Sequence, residues 1–167
     1  YQEEQKRLFR GPIWSFVGLE IEIANPGDYR TTYIGETPVI VLRDENRELQ
    51  VLVNRCAHRG NLVCVAKQGS VKELTCVYHN WRYDLRGNLK HVAFGKGVGK
   101  KGGMPRDFDP NNHGLERLRV ATYAGLIFAT FSLSVSPLVE YLGGEMLENV
   151  DRVLGREMVL LGTYSQY

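Results

Sequence analysis

The sequence predicts an all-β fold, an antiparallel β sandwich or barrel with short helices at its N- and C-terminal ends. Two observations support this. Short apolar segments recur at close spacing along most of the 167 residues, and turn-forming clusters such as Asn-Pro-Gly-Asp at 25–28 separate them. With 43% hydrophobic residues the chain is able to bury a real core. Its length supports one domain and a little more.

The first half of the chain predicts one helix and four strands. Residues 3–9 are charged and helix-prone, and Gly11 and Pro12 end this helix. Residues 39–42 form an uninterrupted apolar run, which predicts a strand covered on both faces. A hairpin turn at 44–48 leads into a strand with Leu49, Val51 and Val53 at period two. The other two predicted strands span residues 14–17 and 29–34.

The second half of the chain predicts three more strands of the sheet, followed by two short helices and a further strand near its end. Residues 74–78 predict a strand, a hairpin turn follows at 84–88, and residues 118–122 and 126–131 predict the strands that close the sheet. Residues 137–142 and 145–154 predict two short helices, the second of them capped by Gly155. Residues 158–164 predict one further strand. This pattern divides the chain into an N-terminal helix (1–10), a β domain (11–132), and linker helices with the first strand of another domain (133–167).

Four residues carry metal-binding chemistry: Cys56 and His58, then Cys76 and His79. The spacing is C-x-H, seventeen intervening residues, and C-x-x-H. Thiolates suit zinc and iron–sulfur clusters, and imidazoles suit many metals. Because each segment mixes the two ligand types, the pattern favours a Rieske-type [2Fe-2S] centre, with two Cys on one iron and two His on the other. A structural zinc site is the alternative, although its ligands usually come as a Cys pair and a His pair.

The residues around these ligands make a family resemblance specific. The pattern C-x-H-R-G followed by C-x-x-H-x-W-x-Y-D-x-x-G resembles the Rieske domain of ring-hydroxylating oxygenase α subunits, and the likeness extends from residue 9 to residue 131. The segment Gly-Gly-Met-Pro-Arg-Asp-Phe at 102–108 resembles the branch that acts on aromatic carboxylates such as salicylate, anthranilate or terephthalate. The resemblance implies a Rieske-type fold with two cluster-binding loops and a [2Fe-2S] cluster held by the four Cys and His residues.

The resemblance also implies a function, which is electron transfer within an aromatic-ring-hydroxylating dioxygenase. A ferredoxin or an NAD(P)H-dependent flavin reductase would supply electrons. His79 would pass them to a mononuclear Fe(II) in a neighbouring α subunit of a trimer or its multiples, with a small β subunit as an optional partner. That iron is expected in a C-terminal domain that the chain lacks, because His91 and His113 do not match its ligand motif. No catalytic residue is therefore expected here, and a free-standing Rieske-type ferredoxin is the remaining alternative.

Composition excludes several other functions. A net charge of +2, from 21 basic and 19 acidic residues, gives no case for nucleic acid. No apolar run approaches the ~20 residues of a membrane span, so no membrane partner is expected. Three cysteines, two of them in the metal pattern, argue against a secreted disulfide scaffold, and we expect a cytoplasmic protein.

Several residues near the ligands have expected supporting roles. Trp81 and Tyr83 are expected to pack beside the cluster and hold the second loop, with a plain core role as the alternative. Arg59 and Gly60 are expected to shape the first loop, the glycine through a backbone angle that other residues resist. Cys64 lies among apolar neighbours and is interpreted as a small buried hydrophobe.

Two further expectations concern the cluster's surroundings. Residues 90–112 are rich in glycine and basic residues, and we interpret them as a solvated, mobile insertion, with a basic docking loop as the alternative. Asn61 stands where the Rieske proteins of respiratory complexes have a disulfide cysteine, and no hydroxyl donor is evident beside Cys56. The sequence therefore predicts a potential near the low end of the Rieske range, at about −150 mV.

Overall fold

The structure is a computed structural model that describes residues 2–99, 101–155 and 159. Within these residues, ten strands pair in antiparallel fashion into three sheets. In chain order the strands are β1 (Ser15–Leu19), β2 (Asp28–Ile34), β3 (Thr37–Arg43), β4 (Leu49–Val53), β5 (Gln68–Ser70), β6 (Leu74–Thr75), β7 (Arg82–Tyr83), β8 (Leu89–His91), β9 (Arg119–Tyr123) and β10 (Leu126–Thr130).

Helical segments lie between the strands and at both ends. One α-helical turn continues into a π-helix at the N-terminus, where the sequence predicts a helix, and two 3-10 turns interrupt the strands. The segments are an α-helical turn (Gln2–Glu4), a π-helix (Gln5–Phe9), two 3-10 helices (Glu20–Ile23 and Pro110–His113) and a C-terminal helix (Leu138–Leu154).

The central sheet, in the order β4-β3-β2-β5, has an apolar core on each face. Strand β3 shows why: Val39 and Val41 point into the core shared with β1 and β10, whereas Ile40 and Leu42 point into the core that lies under the Cys and His loops. All four are fully buried, so the predicted strand covered on both faces is confirmed. Over the described residues the sheets stay open, so the predicted sandwich is right and the barrel is not.

Sheet membership differs from expectation near the C-terminus. Strands β9 and β10 do not extend the central sheet but pair with β1, in the order β1-β10-β9. The third sheet, β6-β7-β8, contains two strands that the sequence did not predict, and β6 ends before Cys76 rather than after it. Strand β5 was also missed. These strands have only two or three residues, too few for an alternating pattern to be recognised.

The C-terminal helix packs on the sheet β1-β10-β9 and is interrupted at Gly143, where φ is 73° and ψ 162°. The break falls between the two helices that the sequence predicts. Trp14 packs against Leu138 and donates its indole N–H to the Ser136 carbonyl at 2.9 Å. The strand predicted at 158–164 lies outside the described residues except for residue 159, and the division into domains stays a prediction. No helix in the described part of the chain is long and apolar enough to cross a membrane.

Asp44 links the hairpin turn between β3 and β4 to the hairpin turn between β7 and β8. Its carboxylate is completely buried and accepts backbone N–H bonds from Asn46 and Glu48, both at 2.9 Å, within its own turn. It also accepts from Gln50 Nε2 at 3.1 Å and from Arg86 Nε, in the turn between β7 and β8, at 2.8 Å. Burial alone would raise the pKa of Asp44, but these donors outweigh it and the pKa is lowered.

We expect Asp44→Asn to lower the free energy of unfolding at pH 7 by about 1–3 kcal/mol, because a neutral amide cannot accept all four donors. The folded-state pKa of Asp44 lies below its ordinary value of 3.8. Its stabilisation is therefore present above about pH 4 and is lost as the pH falls through the folded-state pKa. Urea denaturation at several pH values should show that the difference in free energy of unfolding between Asp44→Asn and the parent becomes smaller in acid. The control Asp107→Asn, at an exposed position, should match the parent at every pH.

Candidate metal centre

The two loops that carry the Cys and His residues have the same backbone fold. In each loop the Cys N–H donates to the carbonyl five residues later, and the N–H four residues later donates to the Cys carbonyl. The four bonds are Cys56 N to Asn61 O (2.8 Å), Gly60 N to Cys56 O (2.8 Å), Cys76 N to Trp81 O (2.9 Å) and Asn80 N to Cys76 O (2.9 Å). These turns satisfy the backbone beside each cysteine and leave the intervening residues at the surface.

One residue in each loop has a left-handed backbone. Gly60 has φ of 70°, which confirms the predicted reason for a glycine at this position. Asn80 occupies the equivalent place in the second loop, with φ of 54°. Asparagine is among the non-glycine residues that adopt this region most readily. The sequence reasoning missed Asn80, although its place four residues after Cys76 matches that of Gly60 after Cys56.

The four expected ligands come together and separate by depth. Cys56 and Cys76 are 3% and 1% exposed, within the core below the loops. His58 is exposed and His79 half-buried, and their ring centroids lie 4.7 Å apart in an edge-to-face arrangement. The two sulfurs therefore form an inner pair and the two imidazoles an outer pair.

The protonation equilibria of these groups suit metal ligation. Burial raises the pKa of the Cys56 thiol, while hydrogen bonds from the Tyr83 hydroxyl and the His58 backbone act in the opposite direction. A buried thiolate at this place therefore needs a positive partner, which a metal ion supplies. Desolvation, followed by the charges of His79 and Arg59, lowers the pKa of His58. The neutral imidazole, which is the form that binds metals, is thereby favoured.

Tyr83 supplies a hydroxyl beside the first cysteine. It is fully buried, its oxygen lies 3.2 Å from Cys56 Sγ, and it accepts the Ala57 N–H at 3.1 Å. Because the oxygen already accepts one hydrogen bond, its own proton is available to the sulfur. Burial, and then the Cys56 sulfur, raise the pKa of Tyr83, so the hydroxyl stays protonated. The expectation that no hydroxyl donor lies beside Cys56 is wrong, because Tyr83 follows it by 27 residues and only the fold brings them together.

Trp81 also reaches from the second loop to the first. Its ring is 3% exposed and stacks on the His58 ring, with centroids 4.9 Å apart and planes 9° apart. Trp81 and Tyr83 were expected to hold the second loop; the structure shows that both contact the first. At the surface, Arg59 of the first loop reaches the second loop, with its Nη1 3.4 Å from the Tyr78 hydroxyl. Each loop is therefore held in part by residues of the other.

Asn54 fixes the start of the first loop and was not identified from the sequence. It is 2% exposed, accepts the N–H groups of Val63 and Cys64 at 2.9 Å each, and donates to the Cys64 carbonyl at 2.8 Å. The available signal was a polar residue that ends an apolar strand just before Cys56. Cys64 itself is buried, and burial raises its thiol pKa to about 12, which confirms its interpretation as a small hydrophobe.

The insertion at 90–112 contacts this site. Val92, Met104 and Phe108 pack against the core that contains the two cysteines, and Phe108 meets the edge of Trp81 with centroids 5.8 Å apart. The interpretation of the whole segment as solvated is therefore wrong for these three residues. His113 packs on Phe108 at 4.5 Å and bonds the Asp109 carbonyl through Nδ1 at 2.9 Å, a structural role. His91 is exposed on β8.

The arrangement fits a centre with two metal ions. The donors form a buried sulfur pair and an outer imidazole pair. Two thiolates for one iron and two imidazoles for the other is the donor set of a Rieske cluster.

Comparison with known proteins agrees with this geometry. Residues 13–100 match the Rieske [2Fe-2S] domain family. The chain is 51% identical over 167 residues to the anthranilate 1,2-dioxygenase large subunit of Burkholderia cepacia, and 45% identical over 164 residues to the terephthalate 1,2-dioxygenase terminal oxygenase component subunit alpha 2 of Comamonas sp. These alignments cover 100% and 98% of this chain but 40% of each relative, so the chain spans about two fifths of their length.

A solved structure gives the same result. Naphthalene 1,2-dioxygenase from Rhodococcus sp., bound to indole, superposes with a TM-score of 0.82 at 34% identity, over 94% of this chain and 34% of that one. The matched family covers more than half of the chain, including both Cys and His loops. The shared loop geometry, the paired donors and these matches lead to one conclusion: the chain belongs to the Rieske [2Fe-2S] domain family.

Proposed function

We propose that the chain is an electron-transfer domain in which Cys56 and Cys76 bind one iron of a [2Fe-2S] cluster and His58 and His79 bind the other. The observation that carries the proposal is the separation of the donors into a buried sulfur pair and an outer imidazole pair. When bound, the cluster supplies one-electron redox chemistry.

The chain's own residues have distinct tasks in this function. The packed core excludes water from the two sulfurs, and the Tyr83 hydroxyl donates to one of them. Stacking of Trp81 fixes the plane of the His58 ring. The two imidazoles lie at the surface of the domain, where a redox partner is able to approach them. No residue in the described part of the chain is assigned a catalytic role.

The relatives support a proposal for the whole protein. Because they are dioxygenase subunits for anthranilate and terephthalate, we propose that this domain belongs to an aromatic-ring-hydroxylating dioxygenase α subunit of the aromatic-carboxylate branch. A mononuclear iron outside this chain would carry the oxygen chemistry, as the two-His-one-carboxylate iron sites of oxygenases do. Ferredoxin or flavin reductase donors, neighbouring α subunits and a cytoplasmic location belong to the same proposal. This chain alone should form no hydroxylated product.

Metal analysis tests the ligand proposal directly. The protein purified without oxygen should contain two irons and two acid-labile sulfides per chain, should be red-brown, and should give a paramagnetic signal after one-electron reduction. A colourless protein with one zinc per chain would overturn the proposal in favour of a structural zinc site.

Replacing Tyr83 by Phe should lower the reduction potential. The hydroxyl stabilises the sulfur most when the cluster is reduced and more negative, so its loss disfavours reduction. A hydrogen bond worth about 0.5–1.5 kcal/mol corresponds to ~20–65 mV for one electron. Protein-film voltammetry measures the shift, and Tyr29→Phe, a buried tyrosine in the same core, is the control. An unchanged potential in Tyr83→Phe would mean that the hydroxyl does not donate to Cys56.

The Tyr83 hydroxyl raises the potential expected for the centre. The low value was predicted from a missing disulfide cysteine and a missing hydroxyl donor, and only the first of these features is absent from the structure's described residues. A potential somewhat above the low end of the Rieske range is therefore expected.

A further inference from the structure

An open groove of about 650 Å³ lies beside the metal centre, between β8 and the insertion that follows it. Its apolar lining includes buried Leu89 and half-buried Val92, Met104 and Phe108. Phe94 also lines it and is 75% exposed. An aromatic side chain with this exposure at the edge of an apolar groove is typical of a surface that another protein covers.

The groove is basic as well as apolar. Lys90, His91 and Lys96 line it and are exposed, and no described lining residue is acidic. The segment 89–110 holds five basic and two acidic side chains, whereas in the rest of the chain acidic side chains outnumber basic ones by one. The net positive charge of the sequence is therefore concentrated in the segment that forms the groove, and the lysines that line the groove favour a partner with an acidic surface.

The groove is in contact with the metal centre through a short series of rings. Phe108 lines the groove and meets the edge of Trp81, and Trp81 stacks on His58 with centroids 4.9 Å apart. A protein bound in the groove would therefore lie two side chains from one of the proposed ligands. His79 packs against Tyr78 and meets the His58 ring, with centroids 4.7 Å apart.

We propose that this groove is the docking surface for the protein that supplies electrons, an acidic one-electron carrier. The carrier would place carboxylates against Lys90 and Lys96 and an apolar side chain against Phe94. Each encounter would oxidise the carrier by one electron and reduce the domain by one, with no bond formed or broken. This proposal rests on the proposed electron-transfer function and adds to it the entry side of the domain.

The test uses the purified iron-loaded domain and a reduced, acidic plant-type [2Fe–2S] ferredoxin as the probe, since the potential of such ferredoxins lies below the Rieske range. Stopped-flow absorbance gives the bimolecular rate of reduction. The double variant Lys90→Glu with Lys96→Glu should lower this rate at low ionic strength by roughly tenfold or more, and the effect should fade as salt is added. The matched control is Lys67→Glu with Lys72→Glu, two exposed lysines outside the groove, and it should stay close to the parent.

A second variant tests the apolar part. Phe94→Ser should weaken ferredoxin binding in high salt as well, because its contact is not electrostatic, and its exposure means that the fold is retained. Tyr33→Ser, which removes a 63% exposed aromatic outside the groove, is its control. Equal rates for the groove variants and their controls would overturn the docking proposal. So would self-association of the domain that Phe94→Ser abolishes, because the groove would then bind a second copy.

Dithionite separates this inference from the function on which it rests. If dithionite reduces the parent and every variant equally, the electron-transfer function stands, and only the ferredoxin rates decide the docking surface. If dithionite produces no reduced cluster in the parent, the proposed function itself fails.

Discussion

The Cys76→Ser variant will be purified colourless or nearly so, with iron far below two per chain, and will unfold much more easily than the parent. Cys76 is 1% exposed at the base of its loop, where a serine oxygen is a poor replacement for a thiolate. The cluster would cross-link residues 56 and 76, and a cross-link closing a loop of this length stabilises a fold by ~3 kcal/mol. We expect at least this loss in the free energy of unfolding, measured by urea denaturation alongside iron and sulfide analysis.

Cys64→Ser is the matched control. Cys64 is also buried in the same core, but its contacts are those of a small hydrophobe, and its thiol pKa of about 12 keeps it protonated. This variant should keep its colour and its iron. If Cys76→Ser retains a full complement of iron, or if Cys64→Ser loses it, then the assignment of the inner ligand pair is wrong.

The second large effect is expected from Trp81→Ala. Trp81 is almost fully buried and contacts His58, Phe108 and His113. Truncating a buried tryptophan costs about 3–5 kcal/mol. The His58 ring, a proposed iron ligand, also loses the surface on which it stacks and should be held less firmly. We expect faster loss of visible absorbance in the presence of an iron chelator, in addition to the lower stability.

Trp14→Ala separates these two consequences. Trp14 is a second buried tryptophan, 8% exposed, that packs against the C-terminal helix away from the cysteines. The Trp14→Ala variant should have a free energy of unfolding lowered to a similar extent. Its rate of bleaching, measured under conditions well below the unfolding transition, should stay near that of the parent. Trp81→Phe should restore much of the parent's resistance to the chelator. Equal bleaching rates in Trp81→Ala and Trp14→Ala would show that Trp81 acts only through packing.

The sequence was sufficient for features that depend on local pattern. The four-residue Cys and His motif is specified by spacing, and the structure brings all four residues together. Residues 39–42 are apolar without interruption because both faces of β3 are buried. Gly60 could be interpreted from its place in the motif because a left-handed backbone favours glycine.

Other features depend on contacts between residues distant in sequence and could not be predicted. Tyr83 reaches Cys56 and Trp81 reaches His58 across the two loops, and neither partner is recognisable from its neighbours in the chain. The Gly-rich insertion resembled a solvated segment because the residues in it that pack against the core, Val92, Met104 and Phe108, are few and widely spaced. The pairing of β1 with β10 joins residues more than a hundred positions apart.

The mutual support of the two loops has a consequence for reorganisation energy. Tyr83 and Trp81 hold groups of the first loop from the second, and Asn54 fixes the backbone from below. With the sulfurs inside a packed core and the rings held by stacking, little in the protein has to move when the local charge changes by one. Preoriented dipoles stabilise a new charge without the cost of turning towards it. At a fixed donor distance and driving force, such a rigid surrounding favours fast electron exchange.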